Sequence, residues 1–447
     1  MNPIVQYRFS PSLDLEQIRQ RITVMPERLS SLANLQPSIG AEILETALKR
    51  IYLPNNFALE FIREVIGRAS LHFADLFKSE ADHLAKIYTP PAVEVMPICL
   101  TGLAGVGKSC TLAALLKLMP SPAELYSEHF GCNFTLVSYW YASAREKING
   151  KSLLAEYMFS GSEPPVGNQN TFLRQARRRA NRDGISLVLL DETQYINTGL
   201  GSAKITDILL MLASIGPPGV YVCNYSLGHK LFRRNSEDKQ RLLSQPRIML
   251  PDMPGSADWT DYVAQCVKVS GGVIRTGLGD FAGELYRCTF GIKRLAVQLL
   301  KQAYLECRND GRHCVELRDL GQAYRSAAYT SSASEVEYLQ SEVLGNRRSK
   351  LRLDLKCPFE IPAAFKANIV DFANAERDQR VIAKVFDSSL SEAERSAKKE
   401  FEDSVEAIVA KRSRKPPVEK LSKEEQANAF YAYLDIASRS SKPKQRS

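Results

Sequence analysis

Residues 102–109 read GLAGVGKS, and they fit the pattern G-x-x-x-x-G-K-[ST] with Gly102, Gly107, Lys108 and Ser109 at the fixed positions. A short apolar run, ICL (98–100), enters the stretch and a helical pattern, TLAALLKLM, leaves it. That is the strand–loop–helix context the pattern requires. Glycines let the backbone wrap around an anion, and successive N–H groups at a helix N-terminus bind phosphate oxygens. The stretch is therefore expected to cradle a nucleoside triphosphate with Gly102, Leu103, Ala104, Gly105, Val106, Gly107, Lys108, Ser109 and Cys110. Lys108 would reach the β and γ oxygens and Ser109 would ligate Mg²⁺, so ATP and Mg²⁺ are the expected cofactors.

A second stretch, ISLVLLDE (185–192), completes the set. Leu187 to Leu190 are four consecutive apolar residues, as in a strand buried on both faces, and Asp191 emerges at its C-terminal end. Asp191 is expected in the Mg²⁺ shell and Glu192 as the group that polarises the attacking water. An acidic residue with that role argues for hydrolysis of the nucleotide over passive binding.

Working outward, short apolar strands alternate with helices: 98–100, TLVSYWYA (135–142), 185–192, GVYVCN (219–224) and RIMLPDM (247–253). Such alternation predicts an α/β class, a three-layer parallel sheet covered by helices on both faces. Residues 257–330 then turn wholly helical, so the expected order is that of an AAA+ P-loop ATPase with a small helical lid. The expected domains are a helical N-terminal region (1–90), the ATPase core (91–256), the lid (257–330) and a charged, mostly helical C-terminal interaction tail (331–447). The tail carries basic clusters around a short amphipathic segment, NAFYAYLDIA.

Element order suggests further positions. Asn224 ends the strand GVYVCN, where a polar side chain would touch the γ-phosphate or the lytic water. Arg294, opening the helix after GIKR (291–294), would report the γ-phosphate from the lid, with Lys293 as its rival. An arginine acting across a subunit boundary is expected between 232 and 247: Arg241 first, with Arg234 and Arg247 as alternates. Arg145, Lys147 and Lys151 surround the turn Asn149-Gly150 and are candidate DNA contacts. The helix LRQARRRANR holds five more arginines, Arg174, Arg177, Arg178, Arg179 and Arg182, which serve either as DNA contacts or as a solvated face.

Composition agrees with a basic globular protein. Over 447 residues the net charge is +9, compatible with an anionic partner such as nucleic acid. No apolar run approaches a membrane span, and the opening MNPIVQYRFSPSLDLEQ lacks the pattern of a secretion signal, so a cytoplasmic protein without membrane contact is expected. The nine cysteines form no C-x-x-C pair, and Cys307 and Cys314 around His313 read as helix-end residues.

The pairing of GLAGVGKS with LVLLDETQYI resembles the TniB/TnsC transposition ATPases, AAA+ regulators of transposons, with MuB more distant. The run DETQ (191–194) carries most of the likeness, through the Gln two positions after the Glu. The element IYLPNNFALEFI (51–62) is similar to the segment that in these proteins precedes the core and helps enclose adenine. The likeness spans about 50–330, and VCNYS and the arginine-rich run before RIML depart from the family pattern. The resemblance implies a head-to-tail homo-oligomer, ring or helical filament, on double-stranded target DNA. It would link a target-selector protein to the transposase and disassemble on hydrolysis. The alternatives are a replication initiator or helicase loader of the AAA+ type, which shares every motif above, and a nucleotide-gated protein-binding switch.

Overall fold

The computed structural model describes residues 3–9, 14–30, 32–145, 149–159, 167–196, 202–277, 279–345 and 352–389, with scattered positions between 391 and 431. The chain divides into two compact units, each assembled from separated segments. The first comprises Met1–Thr23, Tyr52–Pro251 and Lys350–Glu360; the second comprises Val24–Ile51, Asp252–Ser349 and Ile361–Ser447.

The first unit is built on a five-stranded parallel sheet. Its strands are β1 (Ile98–Gly102), β4 (Tyr139–Ser143), β5 (Leu187–Asp191), β6 (Gly219–Cys223) and β7 (Pro246–Met249), in the order β4-β5-β6-β1-β7. A separate antiparallel hairpin pairs β2 (Ala123–Ser127) with β3 (Cys132–Leu136). Every residue of β1 and of β5 is buried, as expected for strands covered by helices on both faces. The helices connecting the strands from β1 onward include α1 (Lys108–Leu118) after β1, α2 (Gly150–Phe159) and α3 (Gln169–Arg182) between β4 and β5, Ser202–Ala213 before β6, and Tyr225–Phe232 and Ser236–Leu242 before β7. Trp140 and Tyr157 stack at 5.8 Å in the core, and the Tyr157 hydroxyl donates to the Leu189 carbonyl at 2.8 Å. This is the AAA+ P-loop α/β fold. It is recognised by the place of β6, inserted between the strand that feeds the glycine loop and the strand that ends in Asp191.

The strand expected over 135–142 is two strands in two sheets. β3 ends at Leu136 in the hairpin, and β4 begins at Tyr139 in the main sheet. Between them the Val137 N–H donates to the Asp183 carbonyl, and the buried Ser138 hydroxyl donates to Pro120 O at 3.0 Å. Only the polar Ser138 interrupts the apolar run at that crossing, and a single serine does not signal a change of sheet.

The second unit is helical among its described residues. The helix Lys293–Asn309 packs along Pro37–Lys49, where a Cβ on Gly40 would collide with the Tyr304 hydroxyl. Arg308 donates to the carbonyls of Leu32 at 2.9 Å and Leu35 at 3.1 Å. The helices expected as a lid, Ala257–Val269, Phe281–Thr289, Lys293–Asn309 and Leu317–Arg325, thus share a unit with residues 24–51, which the sequence assigns to an N-terminal region. Residues 350–360, assigned to the tail, belong instead to the sheet-containing unit: His229 Nε2 lies 2.9 Å from the Lys356 carbonyl, and Phe232 meets Phe359 edge to face at 5.1 Å. Among the described residues no helix is long and apolar enough to cross a membrane. Nor does any group of three or more His, Cys, Asp or Glu side chains there make a metal-binding cluster.

Candidate nucleotide site

β1 delivers a loop whose shape only glycine permits. Gly105 has φ +87° and Gly107 φ +117°, and both lie in the region that side chains disfavour. Gly102 is needed for room, because a Cβ there would run into the Met249 carbonyl of β7. α1 begins at Lys108 without a side-chain cap, leaving its leading N–H groups facing the loop. Lys108 is 8% exposed, and its Nζ donates to the Gly102 and Leu103 carbonyls, both at 2.7 Å. Leu103 and Val106 are buried and anchor the loop, whereas Ala104, Ser109 and Cys110 are exposed.

Sheet order brings the acidic strand end to this loop. The Ser109 side chain stands toward the Asp191 carboxylate and favours its ionised form. Burial raises the Asp191 carboxyl above its ordinary range, while Ser109 and the Glu192 N–H, at 2.7 Å, oppose that rise. Glu192 follows in a left-handed backbone conformation, φ +57°, which is uncommon for a residue with a side chain. Its carboxylate is held from two sides: Arg145 Nη2 donates to Oε1 at 2.9 Å and Gln194 Nε2 to Oε2 at 2.9 Å. That ion pair lifts Arg145 above its usual value. The buried Thr193 hydroxyl donates to the Val222 carbonyl, tying this strand end to β6. Asn224, one residue past β6, is half-buried and stands at the N-cap of Tyr225–Phe232 without making a side-chain cap bond.

Other expected residues have other neighbours. Arg241 pairs with Glu237 at 2.7 Å and Glu94 at 3.6 Å, and Arg234 pairs with Asp238 at 3.0 Å. Arg247 donates from Nε and Nη2 to the two oxygens of Glu64, at 2.8 and 2.6 Å. That fork makes it a clamp between β7 and the helix Asn56–Leu76. Lys293 is spent on the buried Asp252, at 3.1 Å, while Arg294 beside it is exposed. Lys151 is exposed, with Nζ 5.4 Å from the centre of the Phe172 ring. Lys147 lies outside the described residues.

Two contacts escaped the sequence reading. The Arg145–Glu192 pair joins a residue taken for a DNA contact to the acid expected to activate water. Tyr52, from the segment IYLPNNF, places its hydroxyl 3.2 Å from Thr111 Oγ1 on α1, and burial pushes that phenol up to about 12. The donor set fits ATP with Mg²⁺: a glycine-shaped ring of N–H groups, a buried ammonium on the loop, and a hydroxyl–carboxylate pair of hard oxygen ligands.

No family model matches the chain, and no curated protein matches it. Among solved structures it is similar to the Aeropyrum pernix ORC1 protein in complex with DNA, at 18% identity and TM-score 0.37, covering 62% of this chain and 68% of that one. It is also similar to Cdc6p from Pyrobaculum aerophilum, at 13% identity and TM-score 0.37, covering 68% and 85%. Drosophila ORC bound to DNA gives 12% identity and TM-score 0.40, covering 85% of each chain. These likenesses are remote in sequence and in superposition. The fold rests on the strand order and the glycine loop.

Proposed function

We propose that the chain hydrolyses ATP and couples that hydrolysis to work on double-stranded DNA as a head-to-tail oligomer. The observation that carries the reading is the convergence of Lys108, Ser109, Asp191 and Glu192 at one end of the sheet. When bound, Mg·ATP supplies an electrophilic γ-phosphorus and the charge of the metal. The loop N–H groups and Lys108 hold the phosphate oxygens, and Lys108 exchanges its two carbonyl partners for them. Ser109 and an ionised Asp191 offer the metal oxygens, and Glu192 orients water and accepts its proton. Asn224, at the end of the strand between the two motifs, is proposed to sense the γ-phosphate. Arg241 is proposed to act on a neighbouring subunit's nucleotide by leaving Glu237 and Glu94, and Arg294 is proposed as a second residue that reports the γ-phosphate.

At this level the reading includes replication initiators and helicase loaders. A narrower reading is a transposition regulator bridging a target-selector protein and a transposase, favoured by one observation. Gln194, the residue that distinguishes DETQ, hydrogen-bonds the catalytic carboxylate itself.

The test is Glu192→Gln. ATP binding should survive, because no metal ligand is lost, and turnover should fall by about 10²–10⁴-fold. The oligomer, followed by electron microscopy on duplex DNA, should then persist with ordinary ATP. Wild-type turnover in the variant would remove Glu192 from the mechanism. Loss of the DNA-bound oligomer as fast as wild type would remove hydrolysis as its timer.

A further inference from the structure

The helix α3 carries five arginines and no acidic residue over Gln169–Arg182. The structure separates them by what they touch. Arg177 Nε donates to the Ser214 carbonyl at 2.7 Å. Arg179 and Arg182 share Asp183, at 3.1 and 2.6 Å, and Arg179 also lies 5.6 Å from the Phe159 ring centre. Arg174 and Arg178 are exposed and make no ion pair or hydrogen bond among the described residues. They stand one turn apart on the face opposite Phe172, Ala176 and Ala180, which are buried.

We infer that this outward face of α3, through Arg174 and Arg178, binds the phosphate backbone of duplex nucleic acid. Like charges one turn apart repel each other on an isolated helix, and a polyanion laid along the face relieves that repulsion. The two positions are about 6 Å apart along the axis, so two long guanidinium side chains can reach separate phosphates of one strand. The same face offers no exposed aromatic ring: Phe172, the helix's one aromatic residue, is buried. A single strand bound through stacked bases would need such rings, and a duplex read through its backbone does not. The inference rests on the proposed action on DNA and adds a contact surface to it, apart from the turn at Asn149-Gly150.

The experiment measures binding of a short fluorescent duplex across a salt series, in the presence of a non-hydrolysable ATP analogue, for wild type, R174Q/R178Q and R177Q. Each phosphate contact contributes about 0.9 to the slope of log affinity against log salt, so the double variant should flatten that slope by about 1.8. R177Q should leave the slope at the wild-type value, and basal ATP turnover and melting temperature should be unchanged in R174Q/R178Q. A double-variant slope equal to wild type, with wild type binding the duplex, overturns the inference and leaves the DNA reading standing. A wild type that fails to bind duplex at low salt defeats the DNA reading and this surface with it. If R174Q/R178Q keeps its duplex binding but loses binding to polyglutamate, the face is a dock for an acidic protein and the inference is wrong.

Discussion

Gly107→Ala tests whether the loop's shape or merely its composition matters. Gly107 has φ +117° and ψ +9° and precedes α1 directly. An added Cβ would meet only the Met249 Cε, at 3.4 Å, an ordinary contact, so space does not forbid alanine. The backbone does. Its φ lies beyond even the left-handed well, and holding a side chain in such a region costs about 1–3 kcal/mol. In a unit of about 150–250 residues, the size of the sheet-containing unit, about 1 kcal/mol moves the melting temperature by about 2–4 °C, so that unit of the ligand-free variant should melt about 2–12 °C lower if the loop keeps its shape. If the loop relaxes instead, the N–H groups of 107–109 turn away from the phosphate positions and the loss appears in binding. Wild type at about 100 times its dissociation constant gains about 2.7 kcal/mol from ligand, and the relaxed variant should gain little of it. Differential scanning of both proteins with and without Mg·ATP separates the two routes. Gly102→Ala is the companion, since it fails for lack of room against β7: it should lower stability by about 1–3 kcal/mol even without nucleotide. A Gly107→Ala protein that melts like wild type and is stabilised by ATP like wild type would refute the reasoning.

Lys108→Ala should abolish ATP binding in titration calorimetry, because the buried ammonium is the loop's main point charge; equal affinity in mutant and wild type would contradict its role. Charge reversal at Lys147 and Lys151 should weaken duplex binding without lowering the melting temperature, and unchanged affinity would discharge that turn from DNA contact. His72 supplies a pH dependence. Burial lowers its imidazole from 6.5 to about 4, so at acid pH the unfolded chain takes up a proton that the folded chain refuses. Its contribution is fully present above about pH 6.5 and is lost as pH falls towards about 4, by at most about 3 kcal/mol. His72→Phe should flatten the acid side of the stability curve in chemical denaturation, whereas an unaltered slope would mean that His72 protonates freely in the fold.

The parts of the site that the sequence makes legible are those whose chemistry is local. Glycines at fixed spacing report a backbone demand: Gly107 meets it with φ +117°, and Gly102 with the room it leaves against Met249. Four apolar residues before Asp191 report burial on both faces, and β5 is wholly buried. The unit boundaries are not legible, because they are set by partners far along the chain. Nothing near Gly40 announces that Tyr304 will lie against it, or that residues 24–51 therefore join the later helices. The arginines between 232 and 247 show the same limit. Arg247 looks as free as Arg241 in sequence until Glu64, 183 positions earlier, takes its Nε and Nη2.

Arg145 shows the same limit from closer at hand. Beside Asn149-Gly150 it reads as a cation at a turn, free to meet phosphate. Recognising β4 and β5 as parallel neighbours brings the two strand ends together: Ser143 stands opposite Asp191, and Ala144 N–H donates to the Asp191 carbonyl at 2.9 Å. Carried one step further, that register sets Ala144, not Arg145, opposite Glu192, and successive side chains alternate between faces. The ladder ends there instead. Glu192 turns into the left-handed conformation, φ +57°, and its carboxylate meets Arg145 at 2.9 Å. Strand pairing brings the two ends side by side, and the backbone turn at Glu192 decides which basic residue holds the carboxylate proposed to activate water.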